Sequence, residues 1–262
     1  MSASVRWADL RTRLLSAAVM LGIGLIEIWL GGPSFMALVI LLSAVMIWEL
    51  AALTAPAQKG VALAVAVLSA GCLAVAVGFP DRFPYILALP AVALAITPRR
   101  DAGIAAGYGL AVVLAGFGLI GLRANEGSAV ILWLVGIVVV SDVLGYFAGR
   151  LIGGPKFWPA ISPKKTWSGT VAGWGGAMLV GLGFVLAGTA GWGVVLLSPL
   201  IALSGQMGDI AESWIKRRAG VKDASRLIPG HGGVMDRFDA LTGAVVAVML
   251  LGLVLPLPFG RG

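Results

Sequence analysis

Nine apolar runs, each close to the length of a bilayer crossing, are separated along this chain by short breaks rich in charge, glycine or proline. About 20 apolar residues in a helix cross a hydrocarbon core of roughly 30 Å. Runs of that kind cover 13–31, 34–53, 60–79, 83–98, 103–122, 128–149, 169–188, 191–208 and 240–259. The pattern predicts an all-α, polytopic integral membrane helix bundle of about nine transmembrane helices. The fourth run is the weakest, because Pro84 and Pro90 lack the backbone N–H groups that a lipid-exposed helix must satisfy internally.

Charge placement supports the same count. With the N-terminus in the cytoplasm, all of the 19 Lys and Arg residues except Arg82, Arg123 and Arg261 fall on inside segments, as the excess of cations in cytoplasmic loops requires. Merging two runs would destroy that segregation. Composition agrees: 59% of residues are hydrophobic, only 12% are charged and mean hydropathy is +0.99, which excludes an ordinary soluble domain. The net charge of +7 is read as topological, with a secondary attraction to anionic headgroups. A nucleic-acid partner is not expected, since the basic residues are scattered over five loops with no soluble domain to present a groove. Cys72 is the single cysteine, which rules out an internal disulfide and a cysteine zinc site. The first run is read as a retained span and not as a cleaved leader.

Polarity divides the chain unevenly. Residues 1–123 read as N-terminal scaffold helices with very short connections, and 124–262 as the catalytic region. Within the latter, 150–168 and 209–239 are expected to be cytoplasmic loops, each combining Gly, Pro and Lys or Arg in a composition suited to turns and anion contact. Glu27 and Glu49 lie near the ends of their runs, where each is expected to reach water. Asp142 lies well inside the sixth run, with Tyr146 and Arg150 at i+4 and i+8, so one helical stripe carries an acid, a phenol and a base.

The second polar block holds most of the candidate chemistry. Asp209, Glu212 and Ser213 share a face if the eighth span continues as a helix, and Lys216 and Arg217 extend it. Asp236 and Asp239 are three apart at the start of the ninth span, where a helix N-terminus favours negative charge. Capping accounts for one of them. Asp209, Asp236 and Asp239 are therefore expected to converge on a divalent cation, since Mg²⁺ takes one or two carboxylates together with substrate phosphates and waters. Lys216, Arg217, Lys222 and Arg226, with Lys164 and Lys165 from the other loop, would spread over phosphate oxygens. Pro229, Gly230, Gly232 and Gly233 bracket the only histidine, His231, in a turn whose amides are expected to contact a phosphate, with the imidazole orienting a phosphate or an acid in preference to acting as an acid or base itself. Salt bridges among the same residues, or an ion path through Asp142 and Glu49, are the competing explanations. The ion path leaves the concentration of charge in one loop unexplained.

The stretch 213–239 resembles the signature of the phosphatidate cytidylyltransferase family: Ser213, Lys216-Arg217, Lys222-Asp223, Pro229-x-His231-Gly-Gly and Asp236-Arg237-x-Asp239. Ser141-Asp142 with Tyr146 and Gly149-Arg150, and Ser162-Pro163-Lys164-Lys165-Thr166, are similar to further family motifs. Two positions depart. Ser168 stands where the family usually has Glu, and Gly145 replaces a common alanine, which is expected only to loosen packing. The resemblance implies condensation of CTP with phosphatidic acid to CDP-diacylglycerol and pyrophosphate. It implies Mg²⁺, with a second cation as an open alternative, a site on the cytoplasmic face of the cell inner membrane, and a homodimer. Asp209, Asp236 and Asp239 would ligate metal, and Asp223 would be a further ligand or orient Lys222. Asp142, Tyr146, Arg150, Ser162, Lys164, Lys165, Thr166, Ser213, Lys216, Arg217, His231 and Arg237 would bind substrate. Transfer to another lipid phosphate, such as an ether lipid, remains open at this point. A CDP-alcohol phosphotransferase does not fit, for want of an Asp-Gly-x-x-Ala-Arg stretch.

Overall fold

The structure, a computed structural model, describes residues 3–259 and the side chains from Leu15 onward apart from Pro163. The charges expected at Arg6, Arg11, Arg13 and Arg261 lie outside the described side chains. In chain order the elements are α1 (Ala3–Leu30), α2 (Gly32–Thr54), α3 (Lys59–Gly78), a 3₁₀ turn (Pro84–Ala88), α4 (Leu89–Ile96), α5 (Ala102–Glu126), α6 (Ser128–Leu151), β1 (Lys156–Trp158), β2 (Ser162–Thr166), α7 (Trp167–Leu186), α8 (Gly193–Ala219) and α9 (Met235–Gly252). Six of these, α2, α3, α5, α6, α7 and α8, are long and apolar enough to cross a membrane. Large apolar side chains such as Leu151 and Trp29 are about four-fifths exposed, a state that water penalises and hydrocarbon does not. This is an all-α membrane protein with one small hairpin.

Three stretches differ from the pattern read in the sequence. The fourth run splits into the 3₁₀ turn and the eight residues of α4, with a proline at the start of each piece, where the missing N–H is harmless. The segment 150–168 is not simply a loop: β1 and β2 pair antiparallel, Lys156 opposite Thr166. The ninth run begins earlier and ends earlier than its apolar residues suggest. Its helix takes in Asp236 and Asp239 and stops at Gly252, after which the chain returns so that Gly191 N–H donates to the Pro258 carbonyl at 2.7 Å.

The chain divides into two compact units. One comprises Met1–Val113 and Arg218–Phe238. Its core includes Ile47 and Leu50 of α2, Leu73 of α3 and Leu94 of α4. α5 rests directly on it, since a Cβ at Gly109 would come within 2.5 Å of the Leu94 side chain. Arg218 makes a forked pair with Asp101, at 2.8 and 2.6 Å, just before α5. The Arg218 guanidinium holds the Asp101 carboxyl below the usual carboxylate range.

The other unit comprises Leu114–Arg217 and Asp239–Gly262. Trp133 is fully buried there and donates its Nε1–H to Ser198 Oγ at 3.0 Å. α6 and α7 meet through small residues. A Cβ at Gly145 would lie 3.2 Å from the Gly169 carbonyl oxygen, and one at Gly149 would lie 2.8 Å from Thr166 Oγ1. Gly145 therefore permits close backbone approach, and the expected loosening is replaced by a tight contact. At the start of α7, buried Thr166 accepts the Gly169 N–H at 3.2 Å and shares a 3.0 Å hydrogen bond with Ser168, whose hydroxyl also donates to the Gly153 carbonyl. Thr166→Ala should lower stability by about 1 kcal/mol, the usual worth of an N-cap. Thermal unfolding in detergent would register it, and Thr166→Ser should recover most of the loss.

Candidate active site

The second unit carries a cluster of three acids, two of them buried. α8 runs on past its apolar part through Asp209, Glu212, Ser213, Lys216 and Arg217, so helical spacing places the first two acids one turn apart. Asp239 joins them from α9: Asp209, Glu212 and Asp239 each offer a carboxylate oxygen, all within 4.8 Å of one another. Glycine makes that approach possible. A Cβ at Gly208 would collide with the Asp239 carbonyl, and one at Gly243 with the Ser204 carbonyl, so α8 and α9 touch backbone to backbone beside the acids. Glu212 is fully buried and Asp239 nearly so. Two lysines attend them. Lys165 of β2 forms an ion pair with Asp209, and Lys216 meets Glu212 at 2.6 Å. Lys165 and Lys216 thus attend the three carboxyl groups, an arrangement that brings both signs of charge to one place. Ser213 donates to Asp209 at a long 3.4 Å.

The first unit holds the rest of the polar block. Asp236 Oδ2 accepts the N–H groups of Ala224 at 2.9 Å and Gly233 at 2.7 Å. Glu49 of α2 is buried, against the expectation that it reaches water, and accepts from Ser225 Oγ at 2.6 Å, Val234 N at 2.9 Å and Met235 N at 2.6 Å. Gly232 adopts φ +89°, and a Cβ there would lie 2.7 Å from Asp236 Oδ2. The turn around His231 closes on itself, with the N–H groups of His231 and Gly232 both donating to the Ile228 carbonyl. This corrects the expectation that the turn's amides contact a phosphate, because these two and that of Gly233 already have internal acceptors. The imidazole differs. His231 Nδ1 is buried and has no hydrogen-bond partner among the described residues. Lys222, Asp223, Arg226 and Arg237 are exposed.

On α6, Asp142, Tyr146 and Arg150 form the expected stripe and are exposed, and Arg150 donates to the Tyr146 hydroxyl at 2.8 Å. Asp142 adds to the negative field at Asp239. Lys164 is exposed on β2 and Ser162 half-buried, whereas Thr166 is turned inward as the cap of α7. Two acids were underrated in the sequence. Glu212 shares the face of Asp209 by spacing alone, and that signal was available. For Glu49 the only sequence sign was a carboxylate inside an apolar run.

Long apolar helices and a cluster of acids attended by lysines characterise a membrane protein with a candidate cation site. Residues 11–255 match the cytidylyltransferase family, and the chain belongs to it. It is 35% identical to a phosphatidate cytidylyltransferase of Brucella abortus (strain 2308), across 96% of each chain. Over about half of each chain it is also similar to the phosphatidate cytidylyltransferases of Helicobacter pylori (strain J99) and Staphylococcus saprophyticus. The first is 41% identical over 52% of this chain and 51% of the relative, and the second 40% identical over 50% and 52%.

Proposed function

We propose that this chain is a phosphatidate cytidylyltransferase, condensing CTP with phosphatidic acid to give CDP-diacylglycerol and pyrophosphate in phospholipid biosynthesis. The observation that carries the reading is the set of half-buried Asp209 with buried Glu212 and Asp239 in a chain of the cytidylyltransferase family. Its donors are all hard carboxylate oxygens, with neither sulfur nor imidazole among them, and they suit a hard divalent cation such as Mg²⁺. Asp209 and Asp239 would hold it, with Glu212 beside them. Asp236, one turn before Asp239 along α9, is a further ligand in this reading, and a second cation is compatible with that many acids. When bound, the cation supplies charge neutralisation at the phosphate oxygens.

A phosphate oxygen of phosphatidate attacks the α-phosphorus of CTP. The new oxygen–phosphorus bond forms as the bond from that phosphorus to the β-phosphate oxygen breaks, and both electrons leave with pyrophosphate. No covalent enzyme intermediate is needed. Lys164, Lys165, Lys216, Arg217, Lys222 and Arg237 are assigned to phosphate oxygens, where cations stabilise charge that builds up in the transition state. Asp223 orients Lys222 or ligates metal. Asp142, Tyr146, Arg150, Ser162 and Ser213 are assigned to substrate contact, Thr166 to holding the start of α7 beside them, and His231, with its unpartnered buried nitrogen, to a phosphate.

The segregation of Lys and Arg favours nine spans with the N-terminus inside, and the nine α-helices among the described residues fall one in each apolar run, six of them long and apolar enough to cross. Residues 1–123 then serve as scaffold and 124–262 as the catalytic region, with the site on the cytoplasmic face of the inner membrane. That placement suits one substrate drawn from the bilayer and another from the cytosol. The enzyme is proposed to act as a homodimer with no nucleic-acid partner. Purified protein in detergent, given CTP, phosphatidic acid and Mg²⁺, should release pyrophosphate and form labelled liponucleotide only when all three are present. Ion flux across liposomes without CTP, and no liponucleotide, would overturn the reading.

A further inference from the structure

We propose that Glu49 is a positioning residue for the reaction, acting through the segment between α8 and α9 on the carboxylate of Asp236. The inference rests on the function proposed above. Glu49 belongs to α2, an apolar span in which a packing position calls for an apolar side chain. Its carboxylate is instead buried to 1% exposure, a state that is costly for a charged group unless donors surround it. Three do: Ser225 Oγ at 2.6 Å, Val234 N at 2.9 Å and Met235 N at 2.6 Å.

Two of those donors are backbone groups at the start of α9, where the first N–H groups have no partner inside the helix and the helix dipole favours an anion. An ordinary cap comes from a Ser, Thr, Asp or Asn next to the helix. Here it comes from a residue 185 and 186 positions away in the chain. The position is tight, since a Cβ at Gly233 would lie 2.5 Å from Glu49 Oε1. Gly233 is also the link to Asp236, because its N–H donates to Asp236 Oδ2, which takes the Ala224 N–H as well. The two ends of the segment, Ala224-Ser225 and Gly233 to Met235, are thus held by two carboxylates that bracket one glycine. Moving Glu49 moves the peptide that Asp236 grips. Lys222 and Asp223, assigned above to substrate and metal, immediately precede the held Ala224.

Glutamine at position 49 keeps one acceptor oxygen but turns an amide N–H₂ toward groups that are themselves donors. Full-length Glu49→Gln, Glu49→Asp and Ser225→Ala, in detergent with CTP and phosphatidic acid, would be compared with the unaltered chain. The readouts are kcat, the two KM values, the Mg²⁺ concentration for half-maximal rate, and the folded fraction from thermal unfolding. Glu49→Gln should lower kcat per folded molecule by roughly tenfold or more and raise the Mg²⁺ requirement, with little change in KM for phosphatidate. Glu49→Asp, which keeps the charge, should recover part of that loss. Ser225→Ala should move kcat and Mg²⁺ dependence in the same direction by less, and it carries the test if Glu49→Gln does not fold. The inference is overturned if the folded variants match the unaltered chain in kcat and Mg²⁺ dependence. It is equally overturned if activity falls only in proportion to folded protein. Activity of the unaltered chain in the same assay separates this failure from a failure of the proposed reaction.

Discussion

Asp209→Asn is expected to reduce CTP-dependent formation of CDP-diacylglycerol by about a thousand-fold while leaving the helices folded. The change is nearly isosteric, so it leaves volume intact and removes charge. Asp209 sits in α8 with one carboxylate oxygen within 4.8 Å of oxygens from Glu212 and Asp239. Replacing it takes one carboxylate from the set of three, which weakens the attraction for a divalent cation. The same substitution also leaves Lys165, its ion-pair partner, without an anion. Steady-state assays over a range of Mg²⁺ concentrations would separate these effects. Loss of cation binding is partly overcome at high Mg²⁺, whereas a misplaced Lys165 is not. Activity near that of the unaltered chain would remove Asp209 from the chemistry.

The second large effect comes from a residue with no functional group. Gly208→Ala should lower activity by roughly a hundred-fold and reduce stability by about 2 kcal/mol, because the added methyl meets a backbone carbonyl that cannot rotate away. That carbonyl belongs to Asp239, and Gly243 packs against the same turn of α8. Any adjustment must push α8 and α9 apart at the level of Asp209 and Asp239, so stability and chemistry fail together. Gly175 of α7 is the matched control, since a Cβ there meets nothing within 4 Å. Gly175→Ala should leave turnover unchanged and stability equal or slightly higher, since alanine is the better helix former. Thermal unfolding and turnover measured on the same preparations test the pair, and equal behaviour of the two variants would contradict the backbone contact.

These two sites also mark what the sequence made legible. Helical spacing alone puts Asp209, Glu212 and Lys216 on one face, and the structure continues α8 through all three. The apolar runs likewise locate the long helices, since crossing length is a strong constraint in lipid. The meeting of Asp209 with Asp239 was expected from the density of acids and from the family resemblance. Its cause, the Gly208 and Gly243 contact, is a pairing between distant glycines that a chain with 38 of them does not single out.

Other features were hidden for local reasons. β1 and β2 are three and five residues long, and Ser162-Pro163-Lys164-Lys165-Thr166 has no alternation of apolar and polar positions to announce a strand. The start of α9 was masked because its first turn is polar, and apolar periodicity begins only after Asp239. The turn at His231 reads from its glycines as an anion-binding loop, yet the N–H groups of His231 and Gly232 close the turn itself. Glu49 lies 176 positions from Ser225, so nothing in its own neighbourhood foretells the partners that keep it buried.

The most direct measurement is anomalous diffraction from crystals of the full chain grown with CTP and Mn²⁺, a heavier stand-in for Mg²⁺. A single strong peak within about 2–3 Å of carboxylate oxygens of both Asp209 and Asp239, at ordinary ligand distances, is the expected result. A fully occupied Mn²⁺ beside the nucleotide, with Asp209 and Asp239 both out of its coordination sphere, would contradict the account.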